Sequence, residues 1–311
     1  MKIFKGDMRD GIQNVNVKEN IDYYLMMAIP MILIFIFSYL PLFGLIISFE
    51  DYMQGRPFIG EGVKYVGLKF FEQFVNSYYF GRLLKNTVVL SLMNLAMGFW
   101  VPIAFALLVN EIYFSKFKKL IQTVSYMPNF ISSVVVAGMV LTFISSDGFI
   151  SKFLTFLGVN AESLNANENA FPWIYTLTNV WKGFGWSSIL YLSTISSIDP
   201  ALYESAEIDG AGRIRKIWSI TLPMMLPLIM IQLIFAIGGI LNSNTEMIML
   251  LYNSSVYKTA DVIGTYLYRE TLLGGKYSYG TAAGLLLSIF GFVLTFIANS
   301  VSSKLTDFSL W

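Results

Sequence analysis

Long apolar runs separated by short polar clusters set out the chain. No Asp, Glu, Lys or Arg falls between Asp22 and Glu50, Lys85 and Glu111, Lys119 and Asp147, Lys216 and Glu246, or Lys276 and Lys304. A helix needs about 20 apolar residues to cross a bilayer, and each of these windows is long enough. A further window, from Glu168 to Asp199, is broken only by Lys182. The pattern predicts an all-α membrane protein of six transmembrane helices, at about 23–49, 86–110, 120–145, 173–198, 222–246 and 281–302. The runs 31–37 and 226–237 are continuously apolar, unlike the alternation of a membrane β-barrel strand. Pro30, Pro41, Pro102, Pro128 and Pro227 fall inside the spans, where neighbouring groups can satisfy the carbonyls that proline frees. Gly98, Gly138, Gly238, Gly239, Gly284 and Gly291 are expected to let helices approach closely. No repeat, low-complexity tract or linker divides the sequence, so residues 1–311 read as one domain.

The polar segment 201–223, ALYESAEIDGAGRIRKIWSITLP, stands out between two apolar spans. Asp199-Pro200 is a helix start, with an acceptor at the cap and proline in the first turn. Asp209-Gly210 is a turn signal that permits a left-handed backbone. A second short helix follows at about 211–219, and Pro223 suits the first turn of the next span. The expected shape is a bracket of two short helices over 200–219. Glu204, Glu207 and Asp209 lie on the first arm, and Arg213, Arg215 and Lys216 on the second. Such a bracket is either a docking surface or an interfacial connector whose charges sit in water and near headgroups.

Composition narrows the class. The protein is 55% hydrophobic and 13% charged, against about 25% charged in soluble domains. The net charge of +1 supplies no basic field for nucleic acid. His and Cys are both absent, which removes disulfides, thiolate and imidazole metal sites, and acid–base catalysis by His. Lys2, Lys5, Arg9 and Lys18 precede the first apolar run, which is longer than the roughly 7–15 residues of a signal-peptide core, so it is expected to be a retained span. Lys and Arg totals on the two sides differ little. The basic clusters of the short loops, at 114–119 and at Arg213, Arg215 and Lys216, place both termini and the bracket in the cytoplasm by the positive-inside rule. The loops 51–85, 147–171 and 252–280 then face outside. An ion-coupled secondary transporter or channel is the alternative class. It usually needs buried carboxylates near the midplane, and most of these spans have none centrally.

The spacing of the polar segment resembles the cytoplasmic signature of the permease subunits of ABC importers. That signature is Glu-Ala-Ala, three residues, Gly, nine residues, then Ile-x-Leu-Pro. Glu204-Ser205-Ala206, Gly210, and Ile220, Leu222 and Pro223 hold these places. Asp209 and Ala211 suit the carbohydrate-importer form. Ser205 replaces the first Ala, and Ile217 stands where Phe is usual. The stretches 65–71, 84–87, 106–111 and 126–131 fit the second and third spans of the family, and 238–242, 251–253 and 260–266 resemble its branch for oligo- and polysaccharides. The resemblance implies a non-catalytic permease of a bacterial plasma-membrane importer, whose bracket is a coupling helix. Glu204, Ser205, Ala206, Asp209, Gly210 and Ala211 would dock on a cytoplasmic ATPase. It implies a second homologous permease, two ATPase subunits and an extracellular sugar-binding protein as partners, besides membrane lipid. The chain contains no P-loop pattern, Gly-x4-Gly-Lys-Ser/Thr, so ATP and magnesium would be used by the partner ATPase and no cofactor or metal by this chain.

Polar residues within spans are the candidates for a sugar path. Asn242, Asn244 and Glu246 lie near the end of the fifth predicted span, with Asn242 and Glu246 expected on one helix face. Asn86, Asn94 and Asn179 are further candidates. Lys182, flanked by Trp181 and Trp186, reads as a lysine reaching the outer interface. The segment 260–270, with Ile263, Tyr266, Leu267 and Glu270, is expected to lie as an amphipathic helix on the outer surface.

Overall fold

The computed structural model describes residues 21–60, 62–159, 161, 164–306 and 309–310. The basic N-terminal residues Lys2, Lys5, Arg9 and Lys18 lie outside that range. Among the described residues there is no β-strand, only an isolated bridge between Glu50 and Tyr65. Four helical stretches are long and apolar enough to cross a membrane: Ile21–Phe49, Phe80–Asn110, Arg213–Gly238 and Tyr277–Lys304. They correspond to the first, second, fifth and sixth predicted spans.

The first stretch begins with α1 (Ile21–Ile34) and continues through a wider and then a tighter turn to Phe49. It is apolar all round and almost wholly exposed as far as Phe43, beyond which it packs against the last long helix. A helix of that kind gains its stability from lipid or a neighbouring subunit, not from this chain's core. After the short α2 (Lys69–Val75), the 31-residue α3 (Phe80–Asn110) runs parallel to the 26-residue α7 (Phe171–Ser196), with Leu90 beside Tyr175, Phe105 on Phe184 and Ile103 beside Tyr191. Their seam is the spine of the molecule. α7 is less apolar than the four spans because Lys182 and several hydroxyl residues interrupt it.

The third predicted span is not one straight helix. α4 (Ser115–Tyr126) extends to Phe130 by a tight turn, and α5 (Ser133–Phe143) then leaves at 100°. Pro128 contributes no backbone N–H, and Ser132 restarts the chain as an N-cap whose hydroxyl accepts from Val135 N at 3.3 Å. Lys182 Nζ lies 3.5 Å from the Asn129 carbonyl beside this break. It therefore sits in the middle of α7, where a cation complements the negative end of the α4 segment, and does not extend to an outer interface.

The fifth predicted span also ends early. α8 (Pro200–Ile208) and α9 (Arg213–Lys216) form the bracket, and α10 (Leu222–Gly238) follows. After Gly238 the chain turns, and α11 (Thr245–Leu251) begins at an Asn244 cap whose side chain accepts from Met247 N. Asn242 and Glu246 thus belong to a turn and a new helix, not to one helical face. The small α6 (Phe149–Phe156), α12 (Tyr257–Ala260) and α13 (Ile263–Leu267) precede the long α14 (Tyr277–Thr306).

Three buried clusters run along the spine. Phe99, Ile103, Tyr191, Ile195, Met225 and Ile229 pack α3, α7 and α10 toward the bracket. Leu90, Val136, Tyr175, Met247 and Val262 form the middle. Phe74, Leu83, Ile263, Tyr266, Tyr279 and Ala283 close the far end. Ile263 and Tyr266 are thus core residues, and the segment 260–270 does not lie as a surface helix. The reason is Asp261, only 1% exposed. It accepts from Arg269 at 2.9 Å, from Thr265 Oγ1 at 2.8 Å and from Arg82 at 3.4 Å, so its charge is buried with partners. This knot joins the start of α3 to the segment before α14. Of the six glycines expected at close contacts, Gly238 and Gly291 meet: a Cβ on Gly291 would stand 2.9 Å from the Gly238 carbonyl oxygen. Gly138 and Gly284 have no such neighbour.

Candidate functional site

The bracket is built as its residues require. The Asp199 carboxylate accepts from Ala201 N at 2.9 Å and starts α8. At its end Gly210 takes φ +74°, and Ala211 N donates back to the Ala206 carbonyl at 2.8 Å. That pairing closes a helix end through a left-handed glycine. The second arm folds back under the first. Lys216 pairs with Glu207, and the hydroxyls of Tyr203 and Thr221 lie 3.0 Å apart. The hydrogen bond and charge of Lys216 hold the Glu207 carboxyl below its usual range. Because that value is depressed, the pair is present above the ordinary carboxylate range and is lost only as pH falls through the lowered value.

These ties leave the outer face of the bracket free. Glu204, Ser205, Asp209 and Gly210 are exposed, while Ala206 and Ala211 are half-buried. Ile208 is 88% exposed and Trp218 68%. Apolar side chains presented on a pinned, charged bracket suit burial against a second protein. All six docking candidates of the sequence lie on this one feature.

A cleft of about 760 Å³ opens at mid-length of α3 and α7 and reaches the turn after α10. Asn94, Asn179, Asn242 and Asn244 line it. Asn244 Nδ2 donates to Asn179 Oδ1 at 3.0 Å, and Asn244 N donates to the Tyr175 hydroxyl at 3.0 Å. The break after Gly238 is what brings Asn242 and Asn244 over α7. Two candidates lie elsewhere. Asn86 is buried and donates to the carbonyls of Lys258 and Asp261 at 2.9 and 2.8 Å, holding the Asp261 segment against α3. Glu246 is exposed and outside the cleft.

Several cleft residues were not singled out from sequence. Gln232 is an amide alone in the apolar run 224–237, a visible signal. Ser91 and Ser243 also line the wall, and among the described residues their buried hydroxyls have no hydrogen-bond partner. Trp186, Phe184 and Tyr191 supply ring surface. The lining carries no charged side chain. Amides, hydroxyls and rings of this kind fit a ligand rich in hydroxyls and with apolar faces.

Residues 98–307 match the family model described as the binding-protein-dependent transport system inner membrane component. The chain belongs to that family. It is 40% identical over 90% of its length to the polygalacturonan/rhamnogalacturonan transport system permease protein YteP of Bacillus subtilis, covering 87% of that protein. It is 36% identical over 90% of its length to the protein LplB of the same organism, covering 88% of it. In three dimensions it is similar to a chain of a bacterial ABC transporter involved in the import of the acidic polysaccharide alginate. The TM-score is 0.83 at 40% identity, with 93% of this chain and 98% of that one covered. The same alginate transporter in complex with an alginate pentasaccharide-bound periplasmic protein gives a TM-score of 0.84 at 39% identity, with 94% and 98% covered. The inner-membrane component is thus a multi-helix membrane subunit of a binding-protein-dependent importer, and the family match spans the bracket and most of the cleft.

Proposed function

We propose that this chain is the permease subunit of an ATP-driven importer that carries an oligosaccharide across a bacterial plasma membrane by alternating access. It forms one domain that crosses six times, counting α7 and the bent α4–α5 pair with the four apolar spans. Both termini and the bracket 200–219 are cytoplasmic. The bracket docks on one of two ATPase subunits, which bind ATP and magnesium. A second homologous permease closes the open side of the cleft, and an extracellular binding protein delivers the sugar. No catalytic group is needed in this chain.

The observation that carries this reading is the bracket itself: an exposed, internally tied pair of helices continuous with α7 and α10, the helices that wall the cleft. A push on it moves both walls. Asn94, Asn179, Asn242 and Asn244, with Gln232 and the free hydroxyls of Ser91 and Ser243, would exchange hydrogen bonds with sugar hydroxyls along the path. YteP is named for polygalacturonan/rhamnogalacturonan transport and the structurally similar transporter for import of alginate, which supports an oligosaccharide as cargo.

The absence of Cys makes the topology directly readable. Ser205→Cys is expected to react with a membrane-impermeant maleimide only from the cytoplasmic side. Labelling in intact cells from outside would reject the orientation. In the assembled importer, Asn244→Ala should raise the half-saturating concentration of sugar-loaded binding protein several-fold, since a neutral hydrogen bond contributes about 1 kcal/mol.

A further inference from the structure

The central cleft is neutral along its wall, but one charge stands beside it. Lys182 is the lone charged residue of α7. It comes three residues after Asn179 and four before Trp186, both of which line the cleft, so it shares their side of the helix. Phe130 packs on Trp186 at 5.5 Å between ring centres, and the adjacent Asn129 carries the carbonyl that Lys182 Nζ faces. Lys182 is thus half-buried between the cleft wall and the turn that ends the α4 segment. We propose that Lys182 is a specificity residue of the central cleft: its ammonium receives the carboxylate of a uronic-acid unit, so the oligosaccharide carried is acidic. The proposal rests on the reading of that cleft as the sugar path and adds the class of sugar.

A cation inside a membrane span is costly and persists where it has a partner or faces a cavity. Among the described residues no Asp or Glu pairs with Lys182. Its contact with the Asn129 carbonyl, at 3.5 Å, is long for a hydrogen bond. An ammonium has three donors, so two stay unused. A carbonyl at the negative end of a helical segment holds the charge in place but does not neutralise it. An entering carboxylate does both, because hydrogen bonds between two ions are shorter and stronger than neutral ones. A half-closed apolar cleft also weakens their attraction less than open water does. The flexible four-carbon stem lets the ammonium turn from the carbonyl toward the cleft. Its neighbours complete the recognition. Asn179 Oδ1 takes one bond from Asn244 and keeps a second lone pair for a sugar hydroxyl. Trp186 offers a ring to the apolar side of a pyranose. No acidic side chain lines the wall, so nothing there repels the carboxylate.

The test follows uptake by the complete importer in liposomes together with its binding protein. The probes are oligogalacturonate and oligomannuronate, and the methyl ester of each, which is the same chain without charge. They are compared at equal concentrations of loaded binding protein. Lys182→Met should lower uptake of the acidic chains about tenfold or more and that of the esters far less. Lys182→Arg keeps the cation and should retain most of the acidic uptake. A binding protein that loads neither acidic chain overturns the proposal, as does acidic uptake that is equal in the wild type and Lys182→Met. An equal fall for acids and esters also overturns it, because Lys182 would then only support the α4 turn. Where the esters are not loaded, Lys182→Arg sets the comparison, and a loss as large as that of Lys182→Met overturns the site. Failure of acid-loaded binding protein to stimulate ATP hydrolysis in the wild type would instead strike the permease reading, and the site with it.

Discussion

Gly210 and Asp261 are the residues where local chemistry constrains the molecule most tightly. Gly210 has open space around its missing Cβ, yet its φ of +74° lies where only glycine is unstrained. A β-branched residue there must distort the turn at a cost of about 1–2 kcal/mol. Gly210→Val should therefore leave a folded, inserted protein that recovers little ATPase on purification, whereas Gly210→Asn, which tolerates the left-handed region, should recover more. Equal recovery by both would remove the turn from docking. Asp261 works in the opposite way, through burial. Removing its carboxylate in Asp261→Ala leaves Arg269 and Arg82 facing each other in a mostly dry pocket. Breaking a buried pair costs about 3–5 kcal/mol, and the part-exposed arginines place this case near the lower end. Thermal unfolding in detergent should show that loss as a lower midpoint. Asp209-Gly210 was legible in the sequence because turn chemistry is local. The Asp261 knot was not, because Arg82 and Asn86 come from distant positions that only the tertiary fold brings to it.

Charge-free windows locate membrane helices well because charge in lipid is costly, and this holds for α3, α10, α14 and the first span. The same rule is blind to breaks made of apolar or neutral residues. Gly238-Gly239 ends α10 inside a window with no charge, and Pro128 to Ser132 bends the third span without altering its hydropathy. The first break serves the site by swinging Asn242 and Asn244 over α7, and the second places the Asn129 carbonyl beside Lys182. Contact between α4 and α7 is equally specific. A Cβ on Gly185 would lie 2.0 Å from the backbone oxygen of Ser125. No side chain can move aside there, so Gly185→Ala must part the two helices, costing about 1–3 kcal/mol. The same thermal assay should show that loss, and full stability of the variant would mean the two helices are not tightly packed.

At the scale of the whole molecule, the long exposed apolar faces, the half-open central cleft and the bracket share one explanation. On the proposed reading the chain is a part of an assembly, with lipid around it, a second permease across the cleft and an ATPase under the bracket. The central cleft was legible only in part: its amides Asn94, Asn179, Asn242 and Asn244 stood out in the sequence, but their meeting across three separated elements did not. The bracket was visible because its function needs a continuous segment with fixed spacing. The proposed coupling has movement enter at the bracket, pass up α7 and α10, and open or close the central cleft between them. The most direct test is ATP hydrolysis by the complete importer in liposomes. Sugar-loaded binding protein should stimulate it severalfold in the wild type, and Gly210→Val should abolish the stimulation while leaving the hydrolysis of the free ATPase intact. Stimulation that survives in Gly210→Val, or sugar uptake by this chain alone driven by an ion gradient without ATPase, would contradict coupling through the bracket.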